Sequence, residues 1–539
     1  MQFSSRRDFL KFIGVSSIGT LIPSLPASVG FASGTSRRKT PFTPLSPSNL
    51  DDFKLASGFE YNVIIKQGDP LSEIYEFGDN NDYTATLPLH AKDLCLLWSN
   101  HEHASPLFVG RRDLTNQELG PTKEQIDREQ RAVGGSFVVL QKDPKNQKWN
   151  PVKNAPLNWR IDAKTPIPFV SDKPIAGKKG AIGTLANCAG GVTPWGTILT
   201  CEENYENYYG EVYRLNGKRT YRTATISNLE WYKHYPFPPE HYGWVVEVNP
   251  HTKSAKKLTA LGRFAHESAT CVKAKDGTPV VYSGDDDEDQ CLYKFISSSP
   301  FSLDKGELFV ADTLNGKWVS LDIKKQSVLQ KHFKDQLEVL IYCREAAQLV
   351  GGTPLDRPED IEVNPHDQSV LISLTNNKAK GNYHGSILKI EEEDGSPLSL
   401  KFKASTFLTG GKESGFSCPD NLVFDKNKNL WIATDIATGA MNKSPYQSFK
   451  NNGLFYVPMR GQYAGQVFQV ASAPVGAELT GLSFSPDHQL ILSVQHPGQG
   501  SKSINNPVSH WPTGGTPRSS VIAIHGELME RLVQNETLL

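Results

Sequence analysis

Thiol and carboxylate side chains flank a short hairpin in the stretch NCAGGVTPWGTILTCEEN, residues 187–204. Cys188 opens its first half, and Glu202 and Glu203 close its second half. Burying a thiol or a carboxylate costs free energy unless a partner compensates it. A hairpin of Thr, Ile and Leu would fold without these groups, so their presence indicates a second purpose. Metal binding is the chemistry that such ligands support together.

Residues of the same kinds recur at corresponding points of other strand pairs. The first strands of five pairs start near Cys188, Glu267, Glu359, Asp420 and Thr480. The ends of the second strands add Glu102, Glu202 or Glu203, Asp285, Asn376, Asp435 and His496. Converging carboxylates would repel one another strongly unless cations lay between them. The repetition therefore predicts a metal centre where these strands meet.

Single members of this set have simpler explanations. Asp435 or Asn376 alone would be interpreted as a turn cap, and Cys188 alone as a small buried apolar residue. The acidic run SGDDDEDQ, residues 283–290, is typical of a solvated loop; calcium binding is the alternative, because spaced oxygens suit a hard cation. Independent caps have no reason to occupy equivalent positions in several strand pairs, and this favours the metal interpretation.

Six copies of one hairpin would position these residues, each with an apolar strand, a tight turn and a second apolar strand that ends in polar residues. The copies start at Asn81, Cys188, Glu267, Glu359, Asp420 and Thr480. Their spacing of about 60 to about 100 residues excludes a short-period solenoid and suits a β-propeller with insertions. We therefore predict an all-β, six-bladed β-propeller with inserted loops and short helices. In such a fold the first strand of each blade lies nearest the central channel.

The composition excludes several classes of protein. The 539 residues include 57 basic and 58 acidic side chains, a formal net charge of -1, which gives no electrostatic reason to bind nucleic acid. The 44 glycines and 35 prolines recur without a period, as in a chain with many turns. The 7 cysteines form no C-x-x-C pair, which excludes a zinc ribbon and a thioredoxin motif.

The N-terminus has the pattern of an export signal. Arg6-Arg7 precedes a modest apolar run and small residues around Gly30. This order is typical of a twin-arginine signal; an ordinary secretory signal or a short membrane anchor is the alternative. We predict that residues 1–34 form the signal peptide and a polar linker, and that residues 35–539 form a single catalytic propeller domain. Because twin-arginine export carries folded proteins, the signal also suggests a cofactor.

Five motifs that follow the signal in order resemble the PhoX family of bacterial alkaline phosphatases. They are NCAGGVTPWGTILTCEEN, FAHES, DRPEDIEVNP, SCPDNLVFDKNKNLWIATD and GAELTGLSFSPDHQLILSVQHPG. The resemblance runs from about Gly68 to about Gly498. It implies a six-bladed propeller that holds ferric iron, Fe(III), and calcium, Ca2+, at its axis and hydrolyses phosphate monoesters in the periplasm.

Transferred residue by residue, the resemblance also implies functional roles. It implies metal ligands at Cys188, Glu203, Glu267, Glu359 and Asp420. The resemblance implies that Arg357 points at the substrate phosphate. A shorter match, in NWRI, implies a phosphate contact for Asn158. The chemistry agrees, because thiolate prefers iron to calcium, carboxylates bind both, and a guanidinium matches pairs of phosphate oxygens. Asp360 departs from the pattern, since an aromatic residue is expected after RPE.

The leading hypothesis is a periplasmic or secreted alkaline phosphatase, a metal-dependent hydrolase of small phosphorylated substrates. Its other partner is the twin-arginine export machinery; it binds no nucleic acid and is expected to be a monomer. A calcium-dependent propeller hydrolase of the lactonase or phytase kind is one alternative, and it would have no use for Cys188. A non-catalytic propeller scaffold is another, and its axis would be filled by apolar residues. Metal content distinguishes the alkaline phosphatase, which would contain iron and calcium, from the calcium-dependent hydrolase, which would contain calcium alone.

Overall fold

The structure, a computed structural model, describes residues 40–112, 114, 120–215, 217–222 and 229–534. The predicted signal peptide lies outside the described residues, so the boundary at residue 34 stays a prediction. Of the described helices, none has the length and apolar character needed to cross a membrane.

Six antiparallel sheets, here called blades 1 to 6 in the order of their innermost strands, form the framework. From the innermost strand outwards, blade 1 contains Asn81–Pro88, Leu94–His101, Gly134–Lys142 and Trp149–Pro151, with Trp159–Ile161 also paired to the third strand. Blade 2 contains Asn187–Val192, Ile198–Glu202, Val245–Asn249 and Ser254–Leu258. Blade 3 contains His266–Lys273, Pro279–Asp285, Leu292–Ser299, Ser302–Asp312 and Lys317–Ser320. Blade 4 contains Pro358–Val363, Val370–Leu374, Ser386–Glu392 and Phe402–Thr409. Blade 5 contains Pro419–Phe424, Leu430–Thr434, Gly453–Val457, Phe468–Ser472 and Lys54–Leu55. Blade 6 contains Glu478–Phe484, Leu490–Gln495, Ser520–His525 and Glu60–Lys66.

The blades close into a ring. The innermost strand of each blade contacts the innermost strands of the blades before and after it, and that of blade 6 contacts that of blade 1. The strands Lys54–Leu55 and Glu60–Lys66 come first in the chain, yet they pair with the outer strands of blades 5 and 6. The six-bladed β-propeller predicted from the hairpin repeats is confirmed.

Apolar strands are buried on both faces because each blade packs against two others. All five residues of Val370–Leu374 in blade 4 are buried. Val280 and Tyr282 of blade 3 lie in one apolar cluster with Ile372 of blade 4. Burying each such side chain stabilises the fold by about 1.5–3 kcal/mol. The β-branched and aromatic residues of the repeats therefore specify blades that stack face to face.

Insertions between strands carry the remaining elements. The α-helices are Lys123–Ala132, Glu206–Tyr209, Ser327–His332, Gln336–Ile341, Cys343–Leu349 and Glu527–Gln534. Short 3-10 helices are Trp231–Lys233, Pro239–His241, Thr259–Leu261, Lys378–Lys380 and Glu393–Gly395. Two-stranded sheets pair Glu211–Leu215 with Lys218–Arg222, Glu288–Gln290 with Leu355–Asp356, and Pro166–Pro168 with Gly180–Ile182.

Candidate metal centre and active site

The start of every innermost strand carries the same irregularity. In all six blades the pairing register between the first and second strands shifts there, as in a β-bulge. In blades 1, 2, 4 and 5 a residue with left-handed backbone lies just before the shift. These residues are Asn80, Ala186, Arg357 and Cys418, with φ of 43°, 53°, 56° and 54°. For residues other than Gly this conformation costs about 1–3 kcal/mol, and it is typical of functional sites.

The left-handed residues serve to bring two strand ends together. The carbonyl oxygen of each accepts a hydrogen bond from a backbone N–H at the end of the second strand. The N–O distances are 3.1 Å for Glu102 to Asn80, 2.9 Å for Glu203 to Ala186, 3.1 Å for Thr375 to Arg357 and 3.0 Å for Asp435 to Cys418. The residues two positions after the four left-handed residues are Asp82, Cys188, Glu359 and Asp420. Polar side chains of the first and second strands are thereby paired at the same end of the ring.

Two groups of side chains from blades 1, 2 and 3 could each hold a metal ion. Asp82, Glu102 and Cys188 form one group, and Cys188, Glu203 and Glu267 form the other. Within each group the candidate ligand atoms lie within 4.8 Å of one another. The Cys188 Sγ is shared by both groups and lies 3.2 Å from Asp82 Oδ2.

Blades 4, 5 and 6 complete the same assembly. The carboxyl groups of Glu359 and Glu478 both lie beside that of Asp420. Glu359 and Asp420 also interact electrostatically with Glu267. We call the whole set the axial cluster; it consists of Asp82, Glu102, Cys188, Glu203, Glu267, Glu359, Asp420 and Glu478. One thiol and seven carboxyl groups thus meet at one end of the central channel.

Burial and mutual repulsion perturb these groups strongly. Both carboxylate oxygens of Glu267 are buried without a hydrogen-bond partner. Burial and four neighbouring carboxylates, Glu203 foremost, hold the Glu267 pKa well above its usual range. Burial and the charge of Glu102 raise the pKa of Asp82 to about 7. Burial likewise raises the pKa of the Cys188 thiol, with Asp82 adding to it. A cation at the centre would reverse the direction of these shifts.

Side chains around the cluster fix its outer oxygens. Gln495 Nε2 donates to Asp82 Oδ2 at 2.7 Å and to Glu102 Oε2 at 2.8 Å. His103 Nδ1 lies 3.1 Å from Glu102 Oε2. Thr480, one of the strand-start positions singled out by the repeats, donates its hydroxyl proton to Asp82 Oδ1. It therefore orients a cluster residue and is not itself a member.

Arg357 lies at the edge of the axial cluster. Its Nε and Nη2 donate to the two oxygens of Asp286 at 2.8 and 2.7 Å. Nη2 also lies 2.7 Å from Glu359 Oε1, although not in hydrogen-bond geometry. The side chain remains 24% exposed, so part of the guanidinium faces solvent beside the cluster.

The structure brings together all five predicted metal ligands and places Arg357 beside them, but it does not bring Asn158 to the cluster. The Asn158 side chain accepts a hydrogen bond from Val139 N at 2.8 Å and donates to Leu71 O and Val152 O at 3.0 and 2.7 Å. All three partners are backbone groups outside the cluster. This side chain connects outer segments of blade 1, and the geometry gives no support to a phosphate contact.

The neighbours Glu202 and Cys201 also lie apart from the axial cluster. Glu202 forms an ion pair with Lys257 at 2.6 Å, in which both side chains are fully buried. Cys201 belongs to an apolar cluster with Leu199 and Val245. Both Cys201 and Cys418 are free thiols. Of the two adjacent glutamates, Glu203 is the one that reaches the axis.

The interpretation of residues 283–290 as a solvated acidic loop is wrong for its first half. Asp285 is fully buried, ends a strand of blade 3 and accepts two hydrogen bonds from Arg344 Nε and Nη2. Asp286 holds Arg357 and contacts Glu203. Asp287 and Asp289 are exposed as expected. The first two aspartates of the run thus have structural partners.

Other strand-end residues surround the cluster. His496 Nε2 lies 3.3 Å from Glu478 Oε2, and Asn376 Nδ2 lies 3.6 Å from Cys418 Sγ. Asp435 is close enough to Arg357 for the guanidinium to counteract the rise that burial causes in its pKa.

Asp360 points away from the axial cluster. Its two carboxylate oxygens accept the backbone N–H groups of Ile361 and Leu422, both at 2.8 Å. With Tyr83 and Glu362 it lines a cavity of about 390 Å³ farther along the innermost strands. The departure from the family pattern at this position therefore lies in the channel and not among the ligands.

Sequence reasoning missed three residues of this region. Asp82 occupies in blade 1 the position that Cys188 occupies in blade 2, and Glu478 lies two residues before Thr480. Asp286 was hidden in the acidic run. Aligning the register shifts instead of the apolar strands would have exposed Asp82, because the left-handed residue stands two positions before the ligand in four blades.

Fold and site together define a six-bladed propeller with side chains at its axis that could hold metal ions. A sequence model described as alkaline phosphatase PhoX matches residues 40–498. The chain therefore belongs to the PhoX family of alkaline phosphatases, which are hydrolases of phosphate esters.

The solved structure of a family member agrees with this assignment. Pseudomonas fluorescens PhoX in complex with vanadate, a transition state analogue, is 29% identical; the match covers 90% of this chain and 98% of that one, with a TM-score of 0.78. A Dyadobacter fermentans protein of unknown function is 8% identical, over 87% of this chain and 100% of that one, with a TM-score of 0.38. A luciferin-regenerating enzyme is 8% identical, over 87% and 96%, with a TM-score of 0.31. The last two are too distant to support an inference. No curated protein matches this chain.

Proposed function

We propose that this chain is an exported alkaline phosphatase whose axial cluster holds ferric iron and calcium and hydrolyses small phosphate monoesters. The burial of Glu267 supports this proposal best, because its two carboxylate oxygens lie among other carboxylates without a hydrogen-bond partner. A buried carboxylate without a partner is costly, and the cost disappears when a cation binds it.

The donor set fits both ions. Cys188 offers a soft thiolate, which calcium does not select but iron accepts, and it contacts Asp82 of the neighbouring blade. The seven carboxyl groups offer the hard oxygens that calcium requires. Bound there, such ions would supply Lewis-acid stabilisation of the charge on the phosphate oxygens. A calcium-only hydrolase would leave a thiol at the centre of the cluster without a role.

Arg357 would bind the substrate. Asp286 fixes its guanidinium through Nε and Nη2. Among the described residues no hydrogen-bond partner is found for Nη1, which leaves two N–H bonds for a phosphate oxygen. A fixed, planar cation binds phosphate with little loss of conformational freedom, and it counteracts charge that develops in the transition state.

Metal content and colour of two matched variants test the iron assignment. Cys188→Ser should bleach the absorption that a thiolate gives when it binds ferric iron, and should lower iron content and phosphatase activity. Cys201→Ser is the control, because Cys201 belongs to the same hairpin but lies in the apolar core. It should retain colour and activity. A colourless, iron-free but active wild-type protein would refute iron and favour the calcium-only hydrolase.

Export and assembly are further parts of the proposal. The twin-arginine machinery would deliver the folded monomer to the periplasm, and replacing Arg6 and Arg7 by Lys should keep activity inside the cell. Periplasmic activity that survives this change would refute the twin-arginine route. The molecular mass of the purified enzyme in solution, measured by analytical sedimentation, would test whether it is a monomer.

A further inference from the structure

A second polar pocket lies beside the axial cluster. It has a volume of about 390 Å³ and lies between the two-stranded sheet of residues 211–222 and the helix Cys343–Leu349. Four arginines contribute to its wall: Arg214, Arg222, Arg263 and Arg344. Its size suits a small anionic group and the carbon chain that carries it.

Two of the four arginines are already neutralised. Arg263 Nη2 lies 2.7 Å from Glu211 Oε1, and Arg344 pairs with Asp285. The remaining acidic groups of the wall are Asp287 and Glu345. Asp287 is exposed and lies 3.6 Å from Arg344 Nη1. Glu345 forms no ion pair within 4.0 Å among the described residues; burial raises its pKa, and the Arg214 guanidinium counteracts that rise from a greater distance.

Arg214 and Arg222 have no such partner. Within the part of the chain that the structure describes, neither makes an ion pair with a carboxylate. The Arg214 guanidinium stacks on the rings of Phe333 and Tyr342, at 4.7 and 5.8 Å from their centroids. Its Nη1 is buried without a hydrogen-bond partner. A rigid guanidinium with an orphaned, buried N–H group is costly unless an acceptor binds it, and this points to an anionic ligand.

One short segment separates this pocket from the catalytic site. Asp286 holds Arg357 and contacts Glu203, whereas Asp285 and Asp287 on either side of it face Arg344. The Asp287 N–H donates to the Asp285 carbonyl at 2.9 Å, so the chain turns tightly at Asp286. Asp286 faces Arg357 on one side of this turn and its two neighbours face Arg344 on the other, which places the pocket and the axial cluster on its two sides. A second site so close to the first could accept another part of the same substrate.

We propose that this pocket binds a second phosphate group, which the leaving group of the substrate carries. The proposal rests on the phosphatase function proposed above. The enzyme would then prefer bisphosphorylated over monophosphorylated compounds. Arg214 and Arg222 supply the charge, and the stacking of Arg214 keeps its fork in place, as a phosphate recognition site requires.

Substrate discrimination tests this proposal. The substrates compared are 1,3-propanediol bisphosphate and 1,3-propanediol monophosphate. The test variant carries both Arg214→Gln and Arg222→Gln, and the control variant carries Arg219→Gln. Arg219 belongs to the same small sheet but pairs with Glu240 outside the pocket. The wild type should favour the bisphosphate in kcat/KM at least tenfold. The double variant should lose this preference and keep its kcat/KM for the monophosphate, and Arg219→Gln should behave as wild type.

Three results would overturn the proposal. The first is an unchanged preference in the double variant, and the second is an equal loss for both substrates. The third is a change of the monophosphate rate on addition of sulfate that the wild type shows and the double variant does not, because a free anion would then be the ligand of the pocket. Calorimetric binding of 1,3-propanebisphosphonate, expected to weaken at least tenfold in the double variant, gives a second measurement that needs no turnover. If the wild type hydrolysed neither substrate, the phosphatase assignment itself would fail.

Discussion

Replacing Arg357 by Lys tests whether this residue binds substrate. The guanidinium uses Nε and Nη2 for Asp286 at 2.8 and 2.7 Å and still presents Nη1. A lysine ammonium can occupy one of these positions but cannot keep the pairing with Asp286 and reach a phosphate oxygen as well. The variant should therefore fold and bind metal while it loses one charge-assisted contact to the transition state.

The size of the loss follows from that contact. A hydrogen bond to a charged group contributes about 1.5–3 kcal/mol, and about 1.4 kcal/mol corresponds to a factor of ten. We expect kcat/KM for an aryl phosphate monoester to fall about 10- to 150-fold in Arg357→Lys. Thermal unfolding and elemental analysis of the same samples would show whether the fold and the metals are retained.

Arg344→Lys is the matched control. Arg344 pairs with Asp285 as Arg357 pairs with Asp286, and the two aspartates are adjacent in the chain. Arg344 lies on the side away from the axial cluster, so its replacement should lower stability but leave kcat/KM for a monophosphate unchanged. Equal losses in both variants, or wild-type kcat/KM in Arg357→Lys, would show that Arg357 acts only through packing.

Three further variants address the metal centre and the framework. Glu267→Gln should raise the melting temperature of the metal-free protein, because it removes a buried carboxylate without a partner, and it should lower metal content in elemental analysis; unchanged metal content would contradict its role. Lys257→Met should cost about 3–5 kcal/mol in denaturant unfolding, since it leaves the buried Glu202 charge uncompensated; a loss below about 1 kcal/mol would contradict this. Burial lowers the pKa of His241, so the unfolded chain binds the proton more tightly and stability falls as the pH drops below about 6.5. His241→Gln, which can keep a hydrogen bond to Ile175 O, should flatten this dependence of the melting temperature, and an unchanged slope would assign it to other groups.

The sequence predicts the blades well because their pattern is local. Each hairpin carries its own apolar strands and turn, and six repeats leave few alternatives to a propeller. The ligand types were also predictable, since Cys188, Glu203 and Asp420 stand at strand ends that the repeats align. Their side chains converge because the innermost strands form a closed ring.

Predictions failed where distant residues decide the outcome. Glu202 and Glu203 are chemically the same, and only Lys257, fifty-five positions away in the chain, assigns the first to the core. Asp285 and Asp286 look like part of a solvated run until Arg344 and Arg357 are placed beside them. Such pairs depend on tertiary contacts that no local pattern contains.

The pairing of the earliest strands with the last blades governs the order in which the enzyme can be assembled. Glu60–Lys66 pairs with Ser520–His525, so the sheet that carries Glu478 is complete only when Ser520–His525 has left the ribosome. Long-range pairings of this kind form late and slowly. A chain that stops short of residue 520 would lack the third strand of blade 6, which would leave the second strand, Leu490–Gln495, with an open edge and Glu60–Lys66 without its partner. The blade that carries Glu478 can therefore form only after Ser520–His525 has been made, so completion of the axial cluster is a late event in folding.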